Sequence, residues 1–145
     1  MEYAVFAVDD RYQPLLNQLF KTVQATPLWS TVKGSCFTVA GFVALALQEQ
    51  GHSVELLACT GMAIEEQRAM FRLGFKGLTV KESEFDGHVA CLVDQKIWVD
   101  FGLTNVHRHG FTDFPIALAM TLPEPLRYPL AMQVNPRYVF VWDTA

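Results

Sequence analysis

The sequence predicts an α+β domain in which early helices precede a mainly antiparallel sheet. Three observations lead there. Apolar residues recur at helical spacing in two early segments, "RYQPLLNQLFKTVQAT" and "SCFTVAGFVALALQEQ". Apolar runs of strand length follow at "HSVELLACT", "HVACLV", "KIWVDF" and "RYVFVW", the middle two folding back around Asp94 and Gln95. The chain has 145 residues, 51% apolar and 18% charged, which suits one globular domain over residues 1–145.

The elements follow in order. "MEYAVFAVDD" alternates and then turns acidic, so it reads as an edge strand rather than a secretion signal. Leu15, Leu16, Leu19, Phe20 and Val23 then share one helix face, with Asp10 as the expected N-cap and Pro27 just past the end. After the loop "PLWSTVKGS", a second helix carries Cys36, Val39, Ala40, Val43 and Leu47 on one face. Phe37, Phe42 and Leu45 make its other sides apolar, which predicts a central helix covered on most sides. Gly41 costs about 1 kcal/mol in a helix interior, so close backbone packing is expected there. Gly51 ends the helix at C′, with His52 beside it as a capping residue. "MAIEEQRAMFRLG" reads as a short amphipathic helix closed by Gly74, its Glu65, Glu66, Arg68 and Arg72 forming a solvated charged face. "FKGLTVKESEFDG" is polar and irregular. The stretch from Gly102 to Pro136 holds five of the seven prolines and gives no clear pattern.

Composition narrows the function. A formal net charge of −4, with Lys and Arg scattered, argues against nucleic acid or an anionic membrane as partner. The longest uncharged run, Gly34 to Gln48, is short of the about 20 residues that cross a bilayer. Three cysteines make no disulfide framework, which points to a reducing cytoplasm. His107 and His109 near Asp113 lack a third ligand at a familiar metal spacing and read as solvated loop histidines.

One cysteine stands apart. In "KGSC", Ser35 is a good N-cap and makes Cys36 the first helical residue. Unpaired backbone N–H groups and the positive end of the helix dipole favour thiolate there. A three-residue hairpin loop, Val93 to Gln95, would pair Leu92 with Lys96 and set His88 opposite Asp100, with Ala90 and Trp98 on the same face. A two-residue loop would put the carboxylate on the other face. Asp100 follows Trp98 and Val99 in an apolar strand, and a carboxylate there needs a partner. Nucleophile Cys36, base His88 and orienting Asp100 are thus available in that chain order. Cys59 and Cys91, each inside an apolar strand, are expected to be inert core thiols that alkylate more slowly than Cys36.

"KGSC" opening a helix, "EQGHSVELLACTG", and then "GHVACLVDQKIWVDFG" resemble the transglutaminase-like branch of the papain-like fold over about residues 33 to 103. The sequence departs from that pattern at Phe37, at "HVACLV", at Phe101-Gly102 and by a helical insertion from Met62 to Leu73. The resemblance implies a central Cys-bearing helix packed on a mainly antiparallel sheet. It implies the triad Cys36, His88 and Asp100, with no cofactor and no metal. It also implies acyl transfer on a peptide or protein substrate, with peptide or amide hydrolysis favoured for so short a chain. Ser30 stands where a papain-like Gln would supply an oxyanion donor. The rival expectation is an inactive domain that binds a partner protein through the apolar C-terminal third.

Overall fold

The computed structural model describes residues 2–26, 35–74, 87–108 and 110–144, and for Ser35, Cys36, Asn105 and Arg108 the backbone alone. The expectations for Pro27, Ser30, residues 75–86 and His109 lie outside the described residues. In chain order the elements are β1 (Ala4–Ala7), α1 (Gln13–Gln24), α2 (Ser35–Glu49), β2 (Val54–Glu65), β3 (Arg68–Leu73) and β4 (His88–Val93). Then come β5 (Ile97–Asp100), α3 (Thr104–Arg108), β6 (Ala117–Thr121), β7 (Leu130–Gln133) and β8 (Val139–Thr144). The strands form one curled sheet ordered β1-β6-β5-β4-β2-β8-β7, with β3 also on β2. Among the described strands, β1 and β6 pair in parallel and the other pairs are antiparallel.

This is not the expected papain-like, transglutaminase-like fold. Among the described residues strand outweighs helix, and the sheet curls into a half-barrel instead of backing a central helix. α2 buries Val39, Ala40, Val43, Ala44 and Leu47 but leaves Phe37 57% and Leu45 64% exposed, so it covers the sheet from outside. Its all-round apolarity is therefore not the mark of a central helix. Gly41 does not mark a close approach either, since a Cβ there would meet nothing within 4 Å. The helix stops as its sequence predicts: Gly51 has φ +91, and the amides of Gly51 and His52 donate to Gln48 O and Leu47 O at 3.0 and 3.1 Å. α1 starts after Tyr12 rather than at an Asp10 cap, with the Asp9 carboxylate accepting from the Arg11 amide.

The second correction is the segment Met62 to Leu73. It is the end of β2 and all of β3, turning at Glu66 and Gln67, both with positive φ. Met, Ala, Glu, Gln and Arg are good helix formers, but β2 is held along its length by three neighbours, and pairing overrides propensity. β4 takes its first half, β3 its far end, and β8 the opposite edge of residues 59–64.

The two faces of the sheet carry two cores. Outside, α1 and α2 pack on Val89, Cys91, Val93, Ile97 and Val99. Inside, the curl encloses Ala90, Leu92, Trp98, Leu118, Phe140 and Trp142, with Phe114 and Tyr138. Phe114, Leu118, Met120, Leu130 and Met132 from the proline-rich stretch are buried in this inner core, so these side chains are not available as a partner surface. No described helix is long and apolar enough to cross a membrane.

Candidate functional site

β4 and β5 form the predicted hairpin in a shifted register. The loop has three residues, but they are Asp94 to Lys96, with Val93 opposite Ile97 and Leu92 opposite Trp98. Asp94 and Gln95 take positive φ, and the Lys96 amide closes the turn on Val93 O at 3.0 Å. An odd loop keeps the parity, so His88 and Asp100 share a face. They sit diagonally, two residues out of register, rather than directly opposed.

Their rings and oxygens still meet. His88 Nε2 lies 2.6 Å from Asp100 Oδ2, with both side chains almost wholly buried. A carboxylate has only acceptors, which puts the hydrogen on Nε2 and makes Nδ1 the nitrogen able to exchange a proton. Asp100 is held from two further directions. Trp142 Nε1 donates to Oδ2 at 2.8 Å, and the Gly102 amide donates to Oδ1 at 2.9 Å. Three donors on a buried carboxylate satisfy the desolvation demand that its apolar strand creates.

The face matters for the nucleophile. His88 and Asp100 point into the inner core, on the side of Ala90, Leu92 and Trp98. α2 lies on the other face, packed on Val89, Cys91 and Val93. Cys36 is in the first turn of α2, as predicted, and its side chain lies outside the described residues. The start of the helix is close to the start of β4, because a Cβ at Gly87 would lie 4.0 Å from the Phe37 ring.

Cys59 was not expected at the site. It is directly opposite His88 in the β2–β4 pairing and opposite Thr144 in the β2–β8 pairing. Directly opposed residues share a face, so the Cys59 thiol and the imidazole project into the same inner core. Only the β2–β4 register brings them together, and no spacing along the chain announces it. Trp142 was missed for the same reason, since β8 reaches Asp100 only through the curl of the sheet.

Beside Cys59 is a pocket of about 330 Å³, lined by Leu57, Cys59, Leu92, Trp98, Leu126 and Tyr128, with Glu55 and Gln95 bonded to each other at its edge. The indole N–H of Trp98 is the one buried side-chain polar atom without a hydrogen-bond partner among the described residues. Burial, then the nearby Cys59 and Glu55, push the Tyr128 phenol above its ordinary value, so it remains a hydroxyl donor. The third thiol, Cys91, donates to Ala40 O at 3.6 Å on the outer face, and burial followed by the charge of Asp100 pushes it up to about 12. It stays a protonated thiol, as expected for a structural cysteine.

A second His–Asp pair is a structural tie. Asp94 Oδ2 accepts from Tyr12 Oη at 2.9 Å and lies 2.7 Å from His52 Nδ1, while Oδ1 accepts from the Ser53 amide. These bonds join α1, the end of α2 and the hairpin turn. His107 is not a solvated loop residue; it lies in α3 with Nε2 2.6 Å from Phe114 O. Glu65 is no part of a helical charge ladder, since it accepts from Arg137, which also donates to Asp113. Among the described residues no group of three or more His, Cys, Asp or Glu is placed to hold a metal ion.

A scan against protein-family models and searches of curated proteins and of solved structures each gave no match. The transglutaminase-like resemblance therefore has no support beyond the quoted residues.

Proposed function

We propose that the protein is a thiol-dependent acyl-transfer enzyme that hydrolyses a peptide or amide bond, with His88 as base and Asp100 as its orienter. The observation that carries this reading is the buried 2.6 Å contact between them, on a carboxylate fixed by Trp142 and Gly102. A histidine with one nitrogen tied to a fixed carboxylate has the arrangement a thiol base needs.

The chemistry runs in two steps. The thiol gives its proton to Nδ1 as sulfur bonds to the carbonyl carbon. Collapse of the adduct breaks the C–N bond, and the imidazolium protonates the leaving amine. Water then gives a proton to Nδ1 as it attacks the thioester, and the sulfur leaves and is reprotonated. No metal or organic cofactor enters this scheme. Cys36 is the thiol that the sequence nominates, through its place at a helix N-terminus. A reducing compartment such as the cytoplasm keeps such a thiol active.

Mixing the protein with p-nitrophenyl butyrate tests the reading. The expected result is a burst of p-nitrophenolate and one butyryl thioester, found by mass spectrometry and lost in His88→Gln. A folded protein that forms no thioester contradicts the reading and leaves a domain that only binds its partner.

A further inference from the structure

We infer that Cys59 is the thiol that His88 serves, and that the adjoining pocket takes the apolar acyl part of the substrate; this rests on the acyl-transfer reading above. Register carries the first half. Cys59 and His88 are directly opposed on adjacent antiparallel strands, which sets their Cβ atoms about 4.5–5.5 Å apart on one face. Cysteine and histidine side chains are long enough to cross that gap, so this register allows the sulfur to come beside an imidazole nitrogen. The far nitrogen, Nε2, is already engaged by Asp100. Thiol, imidazole and carboxylate therefore lie in a row across β2, β4 and β5.

The pocket carries the second half. Cys59 is one of its walls, and Leu57, Leu92, Trp98, Leu126 and Tyr128 make the rest largely apolar. At about 330 Å³ it is at the small end of ligand sites, enough for a short acyl chain or one apolar side chain. Tyr128 and Trp98 both stand in its walls, and the buried Trp98 indole N–H has no hydrogen-bond partner among the described residues. An acyl oxygen that becomes negative during attack needs such a donor. Glu55 is the carboxylate on the pocket edge, joined to Gln95, and it repels an acidic substrate.

Cys59 Sγ forms the new bond to the carbonyl carbon as His88 Nδ1 takes its proton, and the imidazolium then protonates the leaving amine. Gly74 packs on the backbone that carries Cys59: with φ +82, a Cβ there would lie 2.8 Å from Cys59 O.

The test is the rate of iodoacetamide alkylation at each cysteine of the native protein, followed by peptide mass spectrometry across pH. The titratable groups around Cys59 are His88, directly opposite it, Tyr128, and Glu55 four residues back along β2 on the same pocket, with Asp100 behind His88. The prediction is that Cys59 alkylates fastest, with a midpoint at least about one pH unit below an ordinary thiol. His88→Gln lowers its rate at neutral pH roughly tenfold, and Asp100→Asn does so in part. The wild-type profile decides even if a variant fails to fold. If Cys36 shows the His88-dependent midpoint, the Cys59 assignment falls and the thiol reading stands. If Cys59 labels only in denaturant and no thiol responds to His88, both fall.

Discussion

Asp100 takes hydrogen bonds from three parts of the chain: the His88 ring, the Trp142 indole and the Gly102 amide. Removing one donor from a buried carboxylate costs more than an ordinary hydrogen bond. Trp142→Phe keeps most of the ring volume and should lower stability by about 1.5–3 kcal/mol, read as a fall in urea midpoint at unchanged slope. Asp100→Asn instead disturbs the tautomer. It should cut acyl transfer strongly, though by less than the roughly 10⁴-fold of a serine triad, because a thiol needs less help in losing its proton. Cys91 gives a third test at this scale. Its thiol rises from the ordinary 9.0 to about 12, so the fold favours the protonated form. That contribution is complete below pH 9 and disappears as pH climbs toward 12, on the order of 4 kcal/mol at about 1.4 per unit. Cys91→Ala should flatten the alkaline limb of the stability curve while lowering stability near neutrality.

The elements show where local sequence decides structure and where pairing does. Two glycines separate the cases. Gly74→Ala puts a Cβ 2.8 Å from a backbone oxygen at φ +82, and should destabilise by roughly 1–3 kcal/mol. Gly41→Ala, inside α2 with open space around it, should stabilise by about 0.5–1 kcal/mol. Thermal melts of the two variants should move in opposite directions. The hairpin face was legible because an odd loop preserves parity wherever its residues fall. The position of the loop was not: it runs from Asp94 to Lys96 rather than from Val93 to Gln95, with positive φ at Asp94 and Gln95. The helix assigned to Met62–Leu73 failed for a different reason. Its turn, Glu66-Gln67, has no Gly, Asn or Asp to announce it, and its residues are good helix formers. The stop of α2 at Gly51 was legible because only a residue tolerant of φ +91 suits a Schellman end.

At the scale of the fold, two cores share one curled sheet, with α1 and α2 covering the outer face and α3 adding Val106 to the inner core. Nothing in a period of two or of 3.6 says which strands become neighbours, so the pairing of Cys59 with His88 and the reach of Trp142 to Asp100 were not readable. β6, which joins β1 to β5, lay hidden among prolines. The tie from Asp94 to Tyr12 and His52 joins both helices to the hairpin. Burial raises the Asp94 carboxyl, but the Ser53 amide, His52 and Tyr12 together outweigh it and leave it below its usual 3.8. Its contribution holds above that value and is lost as pH falls through the lower folded one. Asp94→Asn should flatten the acid limb of denaturation, and an unchanged limb would show that the tie is idle. The central claim is that Asp100 holds His88 as a base with its proton on Nε2. Nitrogen NMR of ¹⁵N-histidine-labelled protein tests it most directly, with the pH raised until the His88 ring is neutral. The account predicts a protonated Nε2, a bare Nδ1 and a far-downfield Nε2–H proton that vanishes in Asp100→Asn. A proton on Nδ1, or a spectrum indifferent to Asp100→Asn, would contradict it.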